Sequence, residues 1–277
     1  STAGGQIGIW RANVDEATGL VRGRPVPVLT SPVVTMGSSS TPDGRRLLFG
    51  TWSGTYPIYR CDFEPAAGRL IGSSHVFSSG QRSHNLSPGL SPDGEWLATL
   101  LADSERRDIV LIRARNGETR RLTDDPPLKD QIVWAPDGSK LYFGVAPEGT
   151  GEIWRIRPDG GGRQREVRAP EKRDVFPMSV SPDGETLYVD VGKDLVPHRV
   201  DLSLPPDART LVPSPPVVEG RRFDQFCVSP DGRWIVGGSR DGSGTRVPEA
   251  RYILDVSKGT YEALPMPPHD RVVTWLP

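Results

Sequence analysis

The chain is poor in cysteine, histidine and methionine, and it carries no excess of either charge. Each shortage removes a class of function. Cys61 and Cys227 are the only cysteines, so no Cys-x-x-Cys pair exists for redox chemistry or a zinc knuckle. The four histidines (His75, His84, His198 and His269) stand apart, and His-Glu-x-x-His is absent. With 34 basic and 35 acidic residues the net charge is −1, which leaves no electrostatic case for nucleic acid or an anionic membrane surface. No apolar run approaches the length of about 18 residues that a spanning helix needs. No segment keeps a 3.6-residue apolar period over three turns, so no helix is expected. Gly-x-Ser-x-Gly, which would present a nucleophile on a sharp strand-to-helix turn, is missing. So are Gly-x-Gly-x-x-Gly and the P-loop pattern.

What the chain has in quantity is punctuation. There are 31 glycines and 28 prolines, spread through the sequence as turn residues rather than gathered into a disordered tract. One turn recurs: Thr41-Pro42-Asp43-Gly44, Ser91-Pro92-Asp93-Gly94, Ala135-Pro136-Asp137-Gly138, Ser181-Pro182-Asp183-Gly184 and Ser229-Pro230-Asp231-Gly232. The prolines step by 50, 44, 46 and 48 residues. Pro fixes φ for the first corner, Asp accepts hydrogen bonds from the following backbone, and Gly takes the left-handed conformation. Short β-branched and aromatic runs flank each copy, as in Ile132-Val133-Trp134 before and Leu141-Tyr142-Phe143 after. Each copy therefore joins two antiparallel strands.

A third run and a more polar fourth follow, for instance Ile153-Trp154-Arg155-Ile156 in one unit and Thr119-Arg120-Arg121-Leu122 in another. Four strands in about 40–50 residues is the period of a propeller blade. Pro158-Asp159-Gly160 falls between third and fourth runs and is read as a local turn. The units run roughly 33–80, 84–124, 129–169, 174–213 and 222–265. Residues 6–30 match a third and fourth strand, and 270–277 match a first strand, so the two ends are expected to share a sixth blade. The expectation is an all-β, six-bladed propeller of four-stranded antiparallel blades, one domain over 1–277, closed by strands from both termini. Cys61 and Cys227 fall on blades far apart, beyond the roughly 7 Å that a disulfide spans, and are expected as thiols. The chain opens on Ser1-Thr2 without Met. We expect a processed or excised piece, so the missing signal peptide carries no weight.

With those copies in place the chain resembles TolB-type six-bladed propellers with WD-like Ser-Pro-Asp-Gly repeats. The fullest match is His84-Asn85-Leu86-Ser87-Pro88-Gly89-Leu90-Ser91-Pro92-Asp93-Gly94, and the resemblance covers nearly the whole length. It departs at Thr41, where the other copies have Ser or Ala. The resemblance implies protein or peptide binding at the mouth of a central channel. It also implies a periplasmic or extracellular bacterial setting. Such propellers also occur as modules of receptor-like kinases and regulators, and as gating domains of prolyl-oligopeptidase-type enzymes.

In a propeller the first strand of each blade lines the channel, so the residues that start it face the mouth. Eight before each repeat proline stand Val34, His84, Leu128, Asp174, Arg222 and His269. Six before stand Met36, Leu86, Asp130, Phe176, Asp224 and Arg271. The candidate ligand-binding residues are therefore His84, Asp130, Asp174, Arg222, Asp224, His269 and Arg271. The leading function is a non-catalytic, monomeric binding module for a peptide, protein or small ligand. The alternatives are a channel-mouth hydrolase or lyase, or a propeller cut from a larger kinase, regulator or peptidase. Catalysis would need at least three of Asp130, Asp174, Asp224, His84 and His269 to converge. No cofactor is called for, although the channel leaves room for a bound cation. His84 and His269 alone are too few for a closed metal site. Trp134, Trp275, Trp96 and Trp234 recur at equal repeat positions and are read as packing between blades.

Overall fold

The computed structural model describes residues 7–15, 17–31, 34–41, 43–52, 58–64, 69–78, 88–102, 107–126, 128–192, 196–214, 221–241 and 251–264. The described residues begin with an antiparallel hairpin, β1 (Ile7–Val14) and β2 (Val21–Ser31). Four-stranded antiparallel sheets follow. The first holds β3 (Val34–Ser40), β4 (Arg46–Trp52), β5 (Ile58–Glu64) and β6 (Arg69–Ser78). The second holds β7 (Gly89–Leu90), β8 (Trp96–Ala102), β9 (Arg107–Arg113) and β10 (Thr119–Arg121). The third holds β11 (Lys129–Trp134), β12 (Leu141–Val145), β13 (Glu152–Ile156) and β14 (Gln164–Arg168). The fourth holds β15 (Val175–Val180), β16 (Thr186–Val191), β17 (Val196–Asp201) and β18 (Val212–Pro213). The fifth holds β19 (Arg221–Val228), β20 (Trp234–Asp241), β21 (Arg251–Asp255) and β22 (Thr260–Leu264). Strands pair in chain order within every sheet. Two single 3₁₀ turns, Pro147–Gly149 and Pro206–Ala208, are the helical segments among the described residues, and neither is long enough to cross a membrane.

The repeated turn explains the hairpins atom by atom. In four copies the hydroxyl of Thr41, Ser91, Ser181 or Ser229 donates to the carboxylate of the Asp two residues on. That hydroxyl oxygen accepts the N–H of Arg46, Trp96, Thr186 or Trp234. The same carboxylate accepts a second N–H, from Arg45, Glu95, Glu185 or Arg233. The glycines sit at φ of 65–75° and complete the turn. Ala135 has no hydroxyl, and there Ser139 donates to Asp137 instead.

Second strands are buried on both faces, as in Leu141–Val145, because each blade is stacked between two others. Six apolar clusters mark the boundaries. Ile9 packs with Leu47, Phe49 and Phe63; Leu48 and Ile58 pack with Leu90, Leu97 and Val110. At the next boundary Ile109 and Leu111 pack against Trp134, Leu141 and Phe143, and beyond it Tyr142 and Ile153 meet Val175, Leu187 and Val189. Tyr188 meets Ile235 and Leu254, and Trp234 and Leu264 meet Val14 and Val21 of the hairpin. Each large aliphatic side chain buried this way stabilises the ring by about 1.5–3 kcal/mol.

First strands are neighbours in turn, β3 by β7, β7 by β11, β11 by β15 and β15 by β19, and β1 of the hairpin lies beside β3, so these strands form the inner wall. The hairpin closes the ring against the fifth sheet. A Cβ on Gly19 would lie 2.4 Å from the Trp234 ring, and Arg233 donates to the Ala17 carbonyl.

The blade count differs from expectation. The described residues form five four-stranded blades, not six, and the two-stranded β1–β2 sheet fills the remaining place. Among the described residues its strands pair with each other, joined through a turn in which the Gly19 N–H donates to the Asp15 carbonyl. Residues 270–277, expected to supply a first strand, lie outside the described residues, as do Ser1–Gly5.

Candidate functional site at the channel mouth

The Pro-Asp-Gly turns join first to second strands on one side of the ring. Among the described residues the starts of the first strands therefore lie on the opposite side of the ring. Asp130 stands there on β11, beside a bulge. It pairs with Gly144, whereas Ile132 pairs with Phe143, and Gln131 between them is looped out. Gln131 has φ of 46°, the sole non-glycine positive φ among the described residues, a conformation that costs energy and is held by its surroundings. Asp130 helps hold it, since its Oδ1 accepts the Gln131 N–H at 3.0 Å. Its Oδ2 accepts from Arg107 Nη1 at 3.1 Å. Burial pushes the Asp130 carboxyl above the usual carboxylate range, Arg107 opposes that, and the charge of Asp174 adds to it.

Lys129, next to Asp130, is fully buried. Its ammonium lies 3.0 Å from Asp125 Oδ1 and 3.6 Å from Asp108 Oδ1. Asp108 also accepts from the Thr123 hydroxyl at 3.0 Å, and Arg163 holds the other Asp125 oxygen at 2.8 Å. This ionic cluster joins the second and third blades under the mouth.

Asp174 directly precedes β15. Its carbonyl accepts the Gly192 N–H at 2.8 Å, and the Gly151 N–H donates to the Arg173 carbonyl at 2.7 Å. A Cβ on Gly151 would come within 2.5 Å of that carbonyl oxygen. The third blade thus grips the start of the fourth blade's inner strand. Arg222 and Asp224 lie on β19 at the corresponding register, opposite Arg240 and Gly238. His84, His269 and Arg271 lie outside the described residues.

Repeat position does not single out Arg107, because it begins a third strand and the repeat argument reaches only first strands. A signal is nonetheless present: a long cation at the start of β9 can reach the neighbouring blade. Among the described residues no three His, Cys, Asp or Glu side chains are grouped to hold a metal ion. His198 is buried, with Nδ1 2.8 Å from the Val196 carbonyl. Trp134 donates to the Gly89 carbonyl at 2.9 Å, and with Trp96 and Trp234 it packs between blades; Trp275 lies outside the described residues. Cys61 and Cys227 form no disulfide, and burial pushes the Cys61 thiol up to about 11.

Residues 23–248 match the family model for the TolB beta propeller domain. The chain belongs to that family. An uncharacterized protein of Agrobacterium fabrum is 31% identical over 117 residues, covering 42% of this chain and 39% of that protein. A TolB homolog of Chlorobaculum tepidum is 27% identical over 129 residues, covering 44% of this chain and 28% of that protein. The matches thus span well under half the length of these relatives. TolB from Acinetobacter baumannii superposes with a TM-score of 0.69 at 18% identity, over 89% of this chain and 58% of that one, a likeness of fold.

Proposed function

We propose that this TolB-type propeller is a non-catalytic binding module that receives a peptide or protein segment at the channel mouth. The observation that carries this reading is the Arg107–Asp130 ion pair at 3.1 Å, made between the start of the third strand β9 and the inner strand β11 of the next blade, with the charge of Asp174 before β15 acting on Asp130. A concave opening with a few polar groups held by rigid strands is suited to recognition. We place Arg222 and Asp224 in the same mouth by register, and His84, His269 and Arg271 by their repeat position. The resemblance to TolB supports a protein partner and a periplasmic setting. Selection of dodecamer peptides against the whole chain tests the reading. Selected peptides should lose binding to Asp174→Trp, which obstructs the mouth, and keep it with Thr260→Trp on the outer strand β22. Binding that survives the first change and fails with the second moves the site to the rim.

A further inference from the structure

Building on that reading, we infer that Arg107 is the specificity-determining residue of the mouth and that it holds a carboxylate of the bound peptide. Asp130 is poorly placed to contact ligand itself, because one oxygen holds the Gln131 N–H and the other the Arg107 guanidinium. Its role is to orient Arg107. The guanidinium is engaged only through Nη1, while its Nε and Nη2 edge has no protein partner among the described residues. That edge is the planar fork that matches a carboxylate bidentately. The Arg107 side chain is 28% exposed, so the fork is partly shielded from water, where charge-assisted hydrogen bonds are stronger. Leu128, two residues before Asp130 along the chain, is exposed and offers apolar contact beside it. Asp174 sets an opposing charge, so affinity depends on the fork contact rather than on the overall field.

The test uses three capped tripeptides, acetyl-Leu-Glu-Leu-amide and its Gln and Lys counterparts, titrated into the ¹⁵N-labelled chain. The Arg107 Nε–H signal is assigned by its loss in Arg107→Gln. The Glu peptide should move that signal and bind about tenfold more tightly than the Gln peptide. Arg107→Gln should erase the preference, Arg107→Lys should keep part of it, and Asp174→Asn should strengthen binding of the Glu peptide. Equal binding of the Glu and Gln peptides, with mouth signals still moving, overturns the carboxylate assignment and leaves the mouth reading standing. Preference for the Lys peptide does the same. Silence of every mouth signal with all three peptides overturns both. The wild-type titration alone decides the matter if a variant fails to fold.

Discussion

The repeated turn shows how much a single hydroxyl does. Ser229 is buried, donates to Asp231 and accepts the Trp234 N–H at 2.9 Å. Ser229→Ala removes both bonds and leaves that N–H without its acceptor, so it should cost about 1–2 kcal/mol. The third copy predicts the opposite sign. Ala135 stands where the others have Ser or Thr, and Ala135→Ser should stabilise the chain. The gain should be smaller than the Ser229→Ala loss, since Ser139 already occupies Asp137 at 2.8 Å. Urea denaturation of both variants measures the pair. Destabilisation by Ala135→Ser would show that the pocket has closed around the methyl group.

At the scale of strands and blades, the ring depends on junctions. Lys129 is buried between Asp108 and Asp125. Replacing it with Met leaves Asp108 buried without its ammonium, and breaking such a pair costs about 3–5 kcal/mol. A denaturation midpoint unchanged in Lys129→Met would remove the cluster from the account of stability. Gly19 tests the closure: a methyl group there meets the Trp234 ring, and φ is 73°. Gly19→Ala should cost about 2–4 kcal/mol from strain and overpacking. Limited proteolysis should then cut the β1–β2 hairpin first. The blades were legible in the sequence because Pro-Asp-Gly encodes a local turn, and each copy sits between runs long enough to be strands. The site was only partly legible. Asp130 and Asp174 are candidates by repeat position, whereas Arg107, on a third strand, comes within 3.1 Å of Asp130 from another blade. The looped-out Gln131 depends on register with β12, which no local pattern announces.

Across the whole molecule, the turn aspartates set the response to acid. The Thr41 hydroxyl holds Asp43 below its ordinary value, as Ser181 does Asp183, and the Ser139 amide does the same for Asp137. Arg22 beside Asp15 and the Ser257 hydroxyl beside Asp255 lower those carboxyls to about 2. Unfolded, each returns to about 3.9. The folded chain therefore binds these protons more weakly. Their stabilisation is complete above that unfolded value and is lost as pH falls through the folded values. Asp130 has the opposite sign, since burial raises it; its ionisation opposes folding near neutrality and is relieved by acid. Among the described carboxylates one raised group stands against several lowered ones, so the melting temperature should hold between about pH 8 and 5 and fall between about 4 and 2. Added salt should change this little, because hydroxyl and amide hydrogen bonds lead the shifts in Asp43, Asp137 and Asp183 and are not screened like distant charges. Thermal unfolding followed by circular dichroism across that range checks both points. A melting temperature that stays level down to about pH 2.5, well below the unfolded carboxylate value, would mean that the turn carboxylates do not carry the acid response.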